Sequence, residues 1–220
     1  MRSVTEELEA AWLAAEPETS LVIATEASNV LAAQIEEGAQ ADVFISADDV
    51  QPRRLADAGL TAAAPVPFAR NEIALVARPD GPVTEAADLA GADTTLVVGG
   101  RATPIGRYTE QALWQLAQAM PDPPGFAAAV ETNIASREDN VRAALAKVEL
   151  GEGDAAFVYR TDAVDSVDTI EIELPPGARV AAPYAAVQVS EDAAAAAFVG
   201  WLRSAAAQRI LSDAGFEVIA

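Results

Sequence analysis

Between residues 138 and 164 the pattern of hydrophobic and polar positions changes from helical to extended. Asn140 suits the N-cap of a helix, and the apolar positions after it recur at helical spacing: Val141, Ala144, Leu145 and Val148. Gly151 and Gly153 end this helix, and the continuous apolar run Ala155–Tyr159 predicts a buried strand. In open α/β folds, helix starts and strand ends of this kind share one edge of a sheet, where ligands bind.

The N-terminal part predicts alternating helices and strands. Val4, Leu8, Ala11 and Trp12 mark one face of a first helix, and Leu21–Ala24 is a short apolar run typical of a strand. Ser28 suits the N-cap of a second helix, Ala41–Ile45 predicts a second strand, and a further helix begins at Pro52. This β-α-β-α order predicts a parallel sheet.

The rest of the chain continues the alternation. A linker at Ala64–Phe68 precedes strands at Glu72–Ala77 and Thr95–Val98, and the loop Gly99–Gly106 opens a helix over Arg107–Met120. The prediction then gives an extended piece at Ala128–Ile134, strands at Thr169–Leu174 and Tyr184–Val189, and a helical region, Asp192–Ala214, that breaks near Ser204.

The composition excludes several classes of function. Asp and Glu number 34 against 14 Lys and Arg, and the resulting net charge of −20 disfavours nucleic acid and anionic membranes as partners. Cysteine and histidine are absent, which excludes disulfides, thiolate chemistry, histidine-based metal sites and histidine-dependent nucleophiles. Lys147 is the only lysine, and this acid-rich composition favours a halophilic source; the alternative for the scarcity of lysine is a GC-rich genome, which exchanges lysine for arginine. No apolar run is long enough to cross a bilayer, and the first residues lack a signal-peptide pattern.

Three loop-to-helix junctions are candidate anion sites: Ser28, Thr103–Gly106 and Asn140–Val141. Each offers backbone N–H donors at the positive end of a helix dipole, and Tyr159 adds a hydroxyl donor. Arg101 and Arg107 are cationic side chains that can pair with a ligand or with water. The alternative at each junction is an ordinary helix start with no ligand. The adjacent acidic pairs, among them Asp48 with Asp49 and Glu138 with Asp139, are predicted to be solvated faces.

Several segments resemble the molybdate-binding proteins of ABC importers. They are QIEEGAQADVFISADD (34–49), RNEIALVARPDG (70–81), GGRATPIGRYTEQAL (99–113), EDNVRAALAKVELGEGDAAFVYRTDAV (138–164) and FVGWLRSAAAQRILSDAGF (198–216). The resemblance runs in register along nearly the whole chain. ADVFISAD and VYRTDAV, at their correct spacing, are its most specific motifs.

The resemblance implies an α/β, two-lobed type II periplasmic-binding-protein fold, with mixed, mostly parallel sheets and two crossover strands. Lobe I would comprise residues 1–71 and 185–220, lobe II residues 72–184, and the ligand cleft would lie between them. By the same resemblance, neutral donors alone hold the oxyanion: the Ser28 hydroxyl, the backbone N–H groups of Ile105 and Val141, and the Tyr159 hydroxyl. These residues would contact the oxyanion without binding a metal directly, and no cofactor or catalysis is implied.

In this family a strand ending in another ligand serine precedes the first helix. Aligning Trp12 with that helix places the strand, the serine and any signal peptide before Met1, and a shifted alignment would give the serine's role to Ser3. The implied function is an extracytoplasmic, monomeric protein that binds molybdate or tungstate and delivers it to an ABC permease and its ATPase. The alternatives are an intracellular oxyanion-sensing or effector domain, a truncated homologue that binds nothing, and an enzyme on the same fold.

Overall fold

The computed structural model describes residues 4–219, so Ser3 lies outside the described residues. The chain divides into two compact units, residues 1–71 with 183–220 and residues 72–182. Strands β2 (Val66–Ala77) and β7 (Ala181–Gln188) each carry the chain from one unit to the other. The first unit is therefore discontinuous in sequence, whereas the second is one continuous segment.

In the first unit, helices accompany strands from both ends of the chain. Strand β1 (Val43–Ser46) pairs antiparallel with β7, and β8 (Glu217–Val218) pairs antiparallel with the first half of β2. The helices of this unit are α1 (Val4–Ala15), α2 (Ser28–Glu36), α3 (Val50–Asp57), α8 (Ala193–Trp201) and α9 (Ala205–Asp213).

The core of the first unit joins the two ends of the chain. Leu8 packs in one cluster with Val199 and Leu211, and the Trp12 ring makes edge contacts with Phe198 and Trp201. The predicted apolar face of α1 is therefore confirmed, with Leu8 and Trp12 buried. A second cluster lies among α2, α3, β1 and β7 and contains Ala32, Ile35, Phe44, Leu55 and Val187.

In the second unit a mixed sheet is accompanied by helices. Strand β3 (Leu96–Gly99) pairs parallel with both β4 (Ile134–Glu138) and β5 (Ala155–Tyr159), while β5 and β6 (Ile170–Ile172) pair antiparallel with β2. The helices are α4 (Pro104–Gln118), α5 (Pro123–Asn133), α6 (Val141–Glu149) and α7 (Arg160–Asp165), with single 3-10 turns at Ala86–Ala90 and Pro176–Ala178. All residues of β3 and β5 are buried, as the sequence predicted for strands without polar alternation.

Two predicted elements of the N-terminal part are wrong. Leu21–Ala24 forms no strand, and the side chains of Val22 and Ile23 are 99% and 44% exposed. Strand β1 instead pairs antiparallel with β7, so the predicted parallel β-α-β pairing is absent from the described residues. A short apolar run forms a strand only where a neighbouring strand takes up its backbone hydrogen bonds, and no described strand does so here.

Two further segments differ from the prediction. The expected linker Ala64–Phe68 overlaps the start of β2 at Val66, and Pro67 is accommodated within that strand. Most of the expected extended piece Ala128–Ile134 is the second half of α5, which the Asp122 carboxylate caps by accepting from the Gly125 N–H at 3.2 Å. A capped alanine-rich sequence with apolar residues four apart, Phe126 and Val130, favours the helix.

Candidate functional site

Two helices begin, and one buried strand ends, at the same edge of the second unit's sheet. Gly99 of β3 lies opposite Glu138 of β4, and the Gly100 N–H donates to the Glu138 carbonyl at 2.7 Å. Strand β5 runs parallel to β3 on its other side and ends at Tyr159. Three adjacent strands span about 10 Å, so the starts of α4 and α6 and the end of β5 lie within reach of one small ligand.

The loop before α4 is held tightly against the helix start. The Thr103 hydroxyl donates to the Gly100 carbonyl at 2.7 Å and accepts from the Gly106 N–H at 3.0 Å. A Cβ atom at Gly106 would collide with the Gly100 carbonyl, so only glycine fits there. The sequence predicted a helix from Arg107, but α4 begins at Pro104 because Thr103 provides its N-cap.

This cap leaves one backbone donor of α4 open. Pro104 has no N–H, the Gly106 N–H is bound by the cap, and the Arg107 N–H donates to the Thr103 carbonyl at 3.2 Å. The hydrogen bonds of residues 4–219 include none from the Ile105 N–H. The first turn of α4 therefore presents a single free donor, at the position that the sequence predicted.

The start of α6 has the same arrangement. The Asn140 side chain accepts from the Ala143 N–H at 2.9 Å, which confirms the predicted N-cap, and the Asn140 carbonyl accepts from Ala144 at 3.3 Å. Within the described chain no hydrogen bond uses the N–H groups of Val141 and Arg142. These donors lie at the positive end of the α6 dipole, and this position favours the binding of an anion.

Tyr159 is the last residue of β5. It is 5% exposed, pairs with Ile73 of β2, and is also the N-cap residue of α7, a helix that the sequence analysis missed. The structure thus brings Ile105, Val141 and Tyr159 to one sheet edge.

Ser28 belongs to the first unit and is not an N-cap, contrary to the prediction. Ala27 occupies the cap position without a side-chain bond, and Ser28 is the first residue of α2. The Ser28 hydroxyl oxygen instead accepts from the Ala47 N–H at 3.2 Å, which fixes this buried side chain. No residue between 4 and 219 accepts the Ser28 hydroxyl proton, so the group keeps one donor available.

The charged groups weighed in the sequence are largely paired within the protein. Arg101 pairs with Glu110 at 2.9 Å and with Glu131 at 3.4 Å, and Arg107 donates to the Ala102 carbonyl at 3.1 Å. Residues 4–219 contain no cluster of acidic side chains that could hold a metal ion.

Two of the predicted solvated carboxylates are instead held by the protein. Asp48 is buried and accepts from the Gln51 N–H at 2.9 Å, so that part of the prediction is wrong. Glu138 is largely buried and pairs with Lys147 at 2.8 Å, and this hydrogen bond lowers the pKa of the Glu138 carboxyl.

One carboxyl group beside the candidate site has a raised pKa. Burial raises the pKa of Asp162 to about 6 and the Asp165 charge adds to this, while a hydrogen bond from the Tyr159 backbone N–H and the charge of Arg142 oppose it. Sequence reasoning did not single out Asp162. The available signal was its spacing, three residues after the strand-ending tyrosine, where a carboxylate can bond back to the N-cap N–H.

Residues 1–217 match the sequence family described as bacterial extracellular solute-binding protein. The chain belongs to this family. The solute-binding chain is 34% identical over 209 residues to the molybdate-binding protein ModA of Mycobacterium tuberculosis, which covers 92% of this chain and 76% of the relative. It is 31% identical over 213 residues to ModA of Haemophilus influenzae, covering 91% and 80%. The predicted resemblance to the molybdate-binding proteins of ABC importers is confirmed.

Solved structures show the same fold. The Azotobacter vinelandii periplasmic molybdate-binding protein matches with a TM-score of 0.81 at 22% identity, covering 99% of this chain and 95% of that one. The sulfate-binding protein SubI of Mycobacterium tuberculosis also reaches 0.81, at 18% identity, covering 98% and 83%. The predicted α/β periplasmic-binding-protein fold with mixed sheets is confirmed, and the chain, as a member of a solute-binding family, is not an enzyme. The expectation that the sheets are mostly parallel is wrong. Strand β3 pairs parallel with β4 and β5, whereas the described pairings of β1 with β7 and of β2 with β5, β6 and β8 are antiparallel. Among residues 4–219, no helix has the length and apolar character needed to span a membrane.

Proposed function

We propose that this solute-binding protein binds molybdate or tungstate outside the cytoplasm and delivers it to an ABC permease. The observation that carries the proposal is the pair of helix starts in the second unit. After the caps are satisfied, each retains an unpartnered backbone donor next to the end of β5, at Ile105 and at Val141. Similarity to molybdate-binding relatives supports this choice among oxyanions.

The proposed donor set is neutral and consists of the Ser28 hydroxyl, the Ile105 and Val141 N–H groups and the Tyr159 hydroxyl. Hydrogen bonds to a charged acceptor each contribute about 1.5–3 kcal/mol, so several together hold a dianion without a counter-charge that would slow its release. Selection against sulfate would come from size, because a smaller anion cannot reach all the donors at once.

Titration calorimetry of the chain in molar KCl with molybdate, tungstate and sulfate tests the proposal. Tight binding of the first two anions with little binding of sulfate is the expected result. Tight binding of sulfate alone would point to the specificity of the sulfate-binding structural relative. A folded chain that binds none of the three anions would refute the proposal.

Replacing Tyr159 tests the donor set itself. Tyr159→Phe removes one hydroxyl donor and leaves the ring in place, so molybdate affinity should fall by about 10- to 150-fold, the equivalent of about 1.5–3 kcal/mol. Tyr184→Phe is the matched control, since the Tyr184 ring packs on Phe68 and Phe216 in the other unit's core. Equal affinities of both variants and the unmodified chain would exclude Tyr159 from the site.

A further inference from the structure

Glu138, the last residue of β4, connects the starts of both helices at the candidate site. Its carbonyl oxygen accepts from the Gly100 N–H at 2.7 Å, in the loop that opens α4. The Gly100 carbonyl in turn accepts from the hydroxyl of Thr103, the N-cap of α4, at 2.7 Å. Two residues after Glu138, Asn140 caps α6. The backbone of Glu138 therefore links the two helix starts, and with them the two free N–H donors.

The Glu138 side chain attaches the same point of β4 to the body of α6. Its carboxylate pairs with Lys147 Nζ at 2.8 Å, and this ammonium group also donates to the Ser136 hydroxyl at 3.3 Å. Lys147 lies nearly two turns into α6, about 9 Å beyond Val141 along the helix axis. Ser136 and Glu138 are two residues apart in β4, so they share one face of the strand. Helix α6 is thus attached to β4 at its cap and again at Lys147, which fixes its tilt and its position along the strand.

The ion pair adds a directional contact to apolar packing. Ala144 and Val148 of α6 pack in one cluster with Val97 of β3. Apolar packing of this kind is non-directional, whereas a charge-assisted hydrogen bond fixes a distance and an angle. The side chains of Glu138 and Lys147 are only 15% and 33% exposed, so water competes weakly for this bond.

We propose that Glu138 and Lys147 are positioning residues whose ion pair fixes the separation between the two donors and so sets the size of the oxyanion that the site accepts. The inference rests on the proposed function. Donors held at a fixed separation reach a large tetrahedral anion together but cannot close around a smaller one, so a rigid site selects by size. Without the ion pair, α6 can shift on β4, and the Val141 N–H can follow a smaller anion.

The double variant Glu138→Gln, Lys147→Met tests this role. It removes the ion pair without leaving an unpaired charge, and it retains the backbone bond from Gly100. Titration calorimetry in molar KCl compares its affinities for molybdate, tungstate and sulfate with those of the unmodified chain. The ratio of molybdate to sulfate affinity should fall about tenfold, the effect of weakening one donor bond to the larger anion. The ratio of molybdate to tungstate affinity should stay the same, because these two anions are nearly equal in size.

Lys147→Met alone leaves the Glu138 carboxylate unpaired. It should show the same loss of preference for molybdate over sulfate and, in addition, weaker binding of all three anions, because the uncompensated charge repels each of them. The single and the double variant test the inference independently, so either one suffices if the other fails to fold.

Arg137→Met is the matched control. Arg137 lies on the opposite face of β4 and pairs with Glu131 of α5 at 3.0 Å, so this variant removes an ion pair of the same strand that does not involve α6. It should keep the molybdate-to-sulfate ratio of the unmodified chain.

A folded double variant or a folded Lys147→Met chain with the unmodified molybdate-to-sulfate ratio would overturn the inference, since the ion pair would then serve stability or charge balance alone. An equal loss of preference in the Arg137→Met control would overturn it as well. In both cases the proposed function would stand. An unmodified, folded chain that binds no oxyanion would overturn the proposed function together with the inference.

Discussion

At the residue scale, side chains that bond to backbone groups position the strands and loops around the candidate site. The Asp154 carboxylate accepts from the Thr95 N–H at 2.8 Å and pairs with Arg78 at 2.9 Å, where β2, β3 and β5 come together. Thr103 and Asn140 play the same part at the other ends of the strands, where they cap α4 and α6.

Asp154→Ala should lower the free energy of unfolding by about 2–4 kcal/mol, because it leaves the Thr95 N–H and the Arg78 guanidinium without their partner. Urea unfolding monitored by circular dichroism measures the change. Asp154→Asn is the control, since it can keep the bond from Thr95 while losing the charge, and its loss should be about half as large. An alanine variant as stable as the unmodified chain would mean that water replaces both contacts.

At the element scale, the sequence predicted the helices and strands whose signals are local, and it missed features that depend on residues far away in the sequence. Strand β5, helix α6 and the Asn140 cap follow from residues within one short segment, so all were correct. Leu21–Ala24 has the composition of a strand but no pairing partner among the described strands, which composition alone does not reveal. Likewise, the prediction made Ser28 an N-cap because the local sequence does not reveal its hydrogen bond with Ala47, which lies 19 positions away.

The candidate site was predictable to a similar degree. Free donors at Ile105 and Val141 follow from the glycine-rich loop and the cap residue, and the resemblance assigned them to a ligand. Their common sheet edge depends on the pairing of β3 with β4 and β5, which joins segments far apart in sequence. Asp162 was missed because α7 is short and because the raised pKa of its carboxyl group depends on burial.

Gly106→Ala should disturb the start of α4 as a whole. The added methyl group would meet the Gly100 carbonyl, so the loop must move and the Ile105 N–H moves with it. We expect a loss of about 1–3 kcal/mol in stability, together with weaker molybdate binding. Gly200→Ala is the control: nothing lies within 4 Å of its Cβ position in α8, so stability should stay equal or rise by up to about 1 kcal/mol. Unchanged anion binding by a folded G106A chain would contradict the assignment of the Ile105 donor.

At the scale of the whole molecule, the net charge of −20 is the dominant property. Repulsion among the carboxylates destabilises the folded state in dilute buffer, and salt screens it. The melting temperature should therefore rise by several degrees between about 0.1 M and about 2 M KCl. Sucrose is the non-ionic control, because it acts by exclusion from the surface without screening charge. A melting temperature that is insensitive to KCl would contradict the proposed halophilic character.

The discontinuous first unit also determines when the chain can fold during synthesis. Leu8 of α1 packs with Val199 of α8 and Leu211 of α9, so this helix finds its partners among residues that are synthesised after the whole second unit. About 110 residues of the second unit are synthesised in between, which takes about 5–20 s at bacterial elongation rates. The second unit is complete before these partners are made, and the apolar face of α1 stays unburied, and open to chaperone binding, until α8 and α9 have been synthesised.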